Sequence, residues 1–115
     1  GWPTEGRVIA SFRELKSGID IAGKRGQPVL AAGAGRVVYT GTGLRGYGKL
    51  VLVKHNATFI SAYAHNDKVL VAEGAEVKKG QPIAEMGSTD ADQVKLHFQI
   101  RRDSKVVDPL GYLPK

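Results

Sequence analysis

Glycine sets the first constraint on this chain: fifteen glycines are spread over 115 residues in short bursts, among them Gly33 and Gly35, then Gly41, Gly43, Gly46 and Gly48. They break the sequence before any helical period can repeat without interruption, and what remains between them is apolar runs of strand length. The chain therefore reads as all-β. Candidate strands run over 7–12, 29–32, 36–40, 50–55, 59–64, 83–86 and 95–101, all rich in the Val, Ile, Tyr and Phe that suit a pleated, half-buried surface.

The run "KLVLVKH" is apolar on both alternating faces, which predicts a strand covered on both sides, while "RVVYT" and "FISAYA" alternate less cleanly. From this we expect one compact domain, residues 1–115, built as an antiparallel two-sheet β-sandwich with long Gly-rich loops. "GIDIAG" reads as a turn, and "DPLGYLP" as a closing turn or single helical turn. One internal echo stands out. "GQPVLAAG" from Gly26 and "GQPIAEMG" from Gly80 both place Gly-Gln-Pro ahead of a β-branched residue, as two strand entrances or as a duplicated hairpin unit.

Charge and composition exclude several classes of function. There is no cysteine, so disulfides, thiolate catalysis and thiolate zinc sites are excluded together. No run approaches the roughly 18 apolar residues of a membrane-spanning helix. The net charge of +6 suits an anionic partner such as an acidic protein or a cell-wall polymer. It does not point to nucleic acid, because the basic residues are scattered and the few aromatics do not recur beside them as a stacking platform.

The three histidines, His55, His65 and His97, each lie on or just after an expected strand. Around them the sequence resembles the LytM or lysostaphin-type zinc metallopeptidase domains that act on bacterial peptidoglycan. The resemblance rests on "WPTEGRVIASF", "GIDIAG", "GQPVLAAGAGRVVYTG", "GYGKLVLVKHN", "SAYAH", "VKKGQPIAEMGST", "LHFQIR" and "DPLGYLP", in that order over almost the whole chain. Active members hold zinc with a His-x-Gly-x-Asp motif and the last histidine of His-x-His. A Tyr-x-His histidine and the first histidine of His-x-His assist the attacking water. Three protein ligands leave a fourth position in which zinc can lower the pKa of water.

Carried onto this chain, the resemblance puts Asp20 and His97 at ligand positions and His65 at an assisting position. It puts Lys16 at the first ligand position and Lys95 at the other assisting position, and both are wrong for the chemistry. A protonated lysine offers no lone pair and repels a dication, and at its ordinary pKa near ~10.4 it is poorly placed to exchange protons at neutral pH. The resemblance thus implies a degenerate domain without zinc. His55 has a structural reading. Without zinc, Asp20 needs another counter-charge. Either Lys16, Lys95 or both pair with it, or both lysines extend into solvent.

Degenerate members of this type, such as the NlpD-like and EnvC-like proteins, activate separate zinc-dependent N-acetylmuramoyl-L-alanine amidases that split daughter-cell walls. The quoted stretches come closest to the NlpD-like branch. The expectation is then a periplasmic, non-catalytic activator with an amidase and peptidoglycan as partners, carried as the C-terminal domain of an outer-membrane lipoprotein. A pseudo-active groove of Lys16, Asp20, His65, Lys95 and His97, rimmed by "GLRGYG" with Arg45 and Tyr47, would be the docking surface. Arg45 and Tyr47 are equally at home in an ordinary exposed loop. Two alternatives compete: an active zinc endopeptidase acting on peptidoglycan cross-links and borrowing His55 or Asp92, and a lipoyl-like carrier domain. The second lacks a lysine in the required hairpin-tip context.

Overall fold

In the computed structural model, which describes residues 1–114, ten strands run in chain order. They are β1 (Val8–Ala10), β2 (Ile19–Ala22), β3 (Pro28–Leu30), β4 (Gly35–Gly41), β5 (Lys49–Lys54), β6 (Phe59–Val69), β7 (Glu76–Val77), β8 (Pro82–Met86), β9 (Lys95–Arg102) and β10 (Lys105–Val107). A single helical turn, α1 (Phe12–Leu15), sits between β1 and β2, and a 3₁₀ turn over Pro109–Gly111 follows β10. The seven expected strands are all present. "GIDIAG" is not a turn: its Ile19–Ala22 is β2, paired along β9.

The all-β, antiparallel reading holds, but the two-sheet sandwich becomes one open sheet. The strand order is β1-β2-β9-β6-β5-β4-β7, with β10 on β9, and β8 bridging β6 to β3. The reason is the length of β6, eleven residues. Its Phe59–Ala64 half pairs with β9, and its Asn66–Val69 half pairs with β8. One strand thus belongs to both layers and joins them by hydrogen bonds. The core still lies between layers: Ile19, Ile21, Val51, Val53, Tyr63, Leu96 and Phe98 of the main sheet cluster with Val29, Ile83, Ala84 and Met86 of the β3–β8 ribbon.

β5 is indeed covered on both faces, though not by two sheets. Val51 and Val53 face the core, while Leu50 turns outward into a small second cluster with Ala62 and Ala64, packed against Tyr39, Tyr47 and Leu52. Aromatic side chains take the place of a second sheet there. That outward face carries the candidate site.

The Gly-Gln-Pro echo resolves into the two entrances of one ribbon, with β3 antiparallel to β8 and Pro28 and Pro82 opening the strands. Both entrances are built alike. Gln27 N–H donates to the Lys24 carbonyl at 3.0 Å and Gln81 N–H to the Lys78 carbonyl at 3.0 Å, while each glutamine side-chain oxygen accepts from the lysine N–H at 3.1 and 3.0 Å. Gly26 and Gly80 have φ of 85° and 81°, a region glycine enters without strain.

Candidate functional site

The register of β2 on β9 opposes Asp20 to His97, Ile21 to Leu96 and Ala22 to Lys95. Strand alternation does the rest. Leu96, Phe98 and Ile100 enter the core, so Lys95, His97, Gln99 and Arg101 share the outward face with Asp20. Ahead of β2, Ser11 and Glu14 form a capping box on α1: the Ser11 hydroxyl accepts from Glu14 N–H at 3.2 Å and the Glu14 carboxylate accepts from Ser11 N–H at 3.0 Å. The turn ends at Lys16 with φ of 58°.

His65 reaches the same face by a different route. Plain alternation from Tyr63, a core residue, would turn His65 into the core. Instead, Val51 pairs Tyr63 while Lys49 pairs Asn66, so β6 carries one extra residue. This is a bulge, with His65 at φ of 68°. Its ring centroid stands 6.2 Å from that of His97. Backbone in this region costs a non-glycine residue on the order of 1 kcal/mol or more, and local hydrogen bonds hold it there. His65 N–H donates to the Tyr47 carbonyl at 2.8 Å, and its Nδ1–H donates to the Thr89 carbonyl at 2.8 Å.

These residues line a groove of about 330 Å³ with Leu15, Ser17, Arg45, Gly46 and Tyr47. On its floor, Lys95 Nζ stands 2.9 Å from Asp20 Oδ2, and His97 Nδ1–H donates to Asp20 Oδ1 at 2.7 Å. The lysine side chain is 19% exposed and the aspartate 7%. Burial alone would raise the Asp20 carboxyl, yet the hydrogen bonds and charges of His97 and Lys95 outweigh it and hold it below the ordinary carboxylate range. Burial also depresses the His65 imidazole, helped by Lys95 and His97 against the Thr89 carbonyl and Asp20.

The rim loop is fastened from the opposite side. Gly46 N–H donates to Asp90 Oδ2 at 2.7 Å, Lys49 N–H to the Thr89 hydroxyl at 3.0 Å, and Tyr47 OH accepts from the Gln99 side-chain amide at 3.2 Å. Gly48 needs its glycine, since a Cβ there would lie 2.3 Å from the Thr89 carbonyl oxygen.

Of the expected groove residues, Asp20, Arg45, Tyr47, His65, Lys95 and His97 meet in it. Lys16 does not. The left-handed turn that ends α1 leaves it exposed and off the groove, with Leu15 and Ser17 on either side lining it instead. Lys95 is the lysine that answers Asp20. Sequence reasoning passed over Gln99, although the alternation that pairs Lys95 with His97 also places it on this face. Thr89 and Asp90 gave no local signal, because their role arises from a loop contact some forty residues away.

The donors do not fit the three-ligand zinc site of active members. Both Asp20 oxygens are engaged, the His97 nitrogen beside Asp20 carries a hydrogen bond to it, and position 16 faces solvent. His55 and Asp92 bring no third ligand. His55 is tied to the Ala34 carbonyl and the Ser61 hydroxyl at 2.7 Å each, and Asp92 is exposed outside the groove. Among the described residues, no three His, Cys, Asp or Glu side chains are grouped to hold a metal ion.

Comparison with known proteins gives this geometry its context. The chain is 62% identical over 117 residues to the lipoprotein NlpD/LppB homolog of Pseudomonas aeruginosa, covering 99% of this chain and 39% of that protein. It is 56% identical over 117 residues to the murein hydrolase activator NlpD of Escherichia coli, covering 99% of this chain and 31% of that protein. This chain therefore spans between 31% and 39% of the length of these relatives. The catalytic domain of the antimicrobial peptidase lysostaphin from Staphylococcus simulans superposes with a TM-score of 0.80 at 27% identity, over 97% of this chain and 89% of that one. Lysostaphin shares the fold, the lipoproteins share most of the sequence, and the sequence model of peptidase family M23 matches residues 14–109; this chain belongs to that family.

Proposed function

We propose that the domain is a non-catalytic activator of a zinc-dependent N-acetylmuramoyl-L-alanine amidase that cleaves peptidoglycan during daughter-cell separation. It would work in the periplasm as part of an outer-membrane lipoprotein and without zinc of its own. The observation that carries this reading is the Lys95–Asp20–His97 arrangement, which occupies with hydrogen bonds the side chains a hydrolytic zinc would need. The name murein hydrolase activator, borne by the Escherichia coli relative, supports it. No observation favours the endopeptidase reading.

In this reading the groove serves as the docking surface. Its rim offers Arg45 and the half-buried ring of Tyr47, with Leu15 and Leu44 exposed nearby at 36% and 44%. Arginine and tyrosine are enriched among residues that dominate binding energy, and apolar neighbours exclude water around them. Activation requires that the domain bind an open amidase more tightly than an occluded one, since equal affinity for both would shift nothing. The test is release of labelled fragments from sacculi by amidase alone, domain alone and the mixture. Release well above amidase alone in the mixture, with none from the domain, is expected. Release by the domain alone would overturn the reading in favour of the endopeptidase.

A further inference from the structure

Gln99, next to His97 on the outward face of β9, is fully buried at 1% exposed, and its four hydrogen-bonding positions are all used. Its Oε1 accepts from Arg101 Nε at 3.2 Å and from a terminal Arg101 nitrogen at 2.9 Å. Its amide nitrogen faces His97 Nε2 at 3.1 Å and Tyr47 OH at 3.2 Å. An arginine side chain only donates, so the orientation of this amide is decided: oxygen toward Arg101, NH₂ toward His97. Turning it over would set the NH₂ against the guanidinium and forfeit both bonds. The amide is therefore a fixed donor pointed at one nitrogen of His97.

That nitrogen must then accept. In its neutral form histidine has one N–H and one lone pair, and the hydrogen bond made by one nitrogen sets the state of the other. With Nε2 accepting from Gln99, the proton resides on Nδ1, which is the nitrogen that meets Asp20 Oδ1 at 2.7 Å. Asp20, held from its other oxygen by Lys95, asks for the same proton from the opposite end.

We infer that Gln99, oriented by Arg101, is a positioning residue that fixes His97 as the Nδ1–H tautomer, so that the nitrogen facing Asp20 donates a hydrogen bond and offers no lone pair. The site is thus closed to a cation by a chain of five side chains, Arg101–Gln99–His97–Asp20–Lys95, and not only by the missing histidine at position 16. The same amide ties Tyr47, and with it the rim loop, to this chain. This tautomer is set by the side chains themselves, whether or not the domain activates an amidase.

Long-range proton–nitrogen NMR of the folded domain, with labelled histidine and at a pH where the imidazole is neutral, reads the tautomer directly. His97 is expected to show a protonated Nδ1 and a bare Nε2. A wild-type spectrum with the proton on Nε2, or with both tautomers in comparable amounts, overturns the inference whatever the variants do. In Gln99→Glu an acceptor replaces the donor, and the Nε2 signal is expected to shift to the protonated position; an Nε2 that stays bare would equally overturn it. Arg101→Met, which frees the amide to turn, should give a mixed signature, and Arg101→Lys, which keeps a donor toward Oε1, should restore the single one. Unchanged signals in both Arg101 variants would remove Arg101 from the role.

Discussion

At the scale of single residues, the two lysines that set this chain apart have separate fates. Lys95 lies beside the His97 position on β9 and meets a buried carboxylate, while Lys16 is carried off by the turn that ends α1. Lys95→Met should cost about 1–3 kcal/mol in urea unfolding, because it leaves Asp20 with one partner fewer in a buried site. Lys16→Met should stay within about 0.5 kcal/mol, as exposed substitutions do. Equal effects of the two would refute the assignment. The identity of both lysines was plain in the sequence; which of them reached Asp20 was not, since that depends on where one short helix stops. Acid stability belongs to this scale too. The folded His65 value lies below the ordinary one, so the unfolded chain binds the extra proton, and stability is complete above about pH 6.5 and falls as pH drops through the folded value. Asp20, also depressed, adds its loss at lower pH, below about 3.9. His65→Asn, which tolerates the left-handed backbone, should erase the upper step and keep the lower one when unfolding free energy is measured against pH.

Elements were legible where periodicity or punctuation was local. The expected strands came from β-branched runs between glycines, and the Gly-Gln-Pro echo marked two true strand entrances. β2 was hidden because four residues between glycines look like a turn until β9 supplies its partner. The bulge at His65 was hidden for a related reason: an extra residue in a pair is invisible until the opposite strand is known. The ribbon gives a clean check of its symmetry. Gly26 and Gly80 have matching positive φ and open space where a Cβ would go, so each alanine substitution should cost only backbone strain, about 1 kcal/mol and nearly the same at both. Gly48→Ala combines strain with a clash against the Thr89 carbonyl and should cost at least about 2 kcal/mol. If thermal unfolding placed all three together, the close approach of the rim loop to Thr89 would be wrong.

For the whole molecule, doubly apolar β5 and seven strands left two packed sheets as the natural expectation, and only the full length of β6 turns them into one hydrogen-bonded sheet. The consequence for function is that the core does not depend on the groove. Its apolar cluster lies on the inner face, while on the outer face Lys95 and His97 both answer Asp20 and His65 is held by the Thr89 carbonyl. A domain built this way should be indifferent to metal. A micromolar zinc site exposed to 100 µM zinc would stabilise the fold by about 2.7 kcal/mol, which for a domain of this size raises the melting temperature by roughly 10 °C. Here zinc is expected to leave the melting temperature unchanged, and so is prior treatment with a chelator. Restoring histidine at Lys16 alone should not change this, because the residue at that position faces away and Lys95 still holds Asp20. A zinc-dependent rise in the unaltered domain would show that Asp20 and His97 remain available as ligands, and the hydrogen-bonded floor described here would then have to give way to the metal.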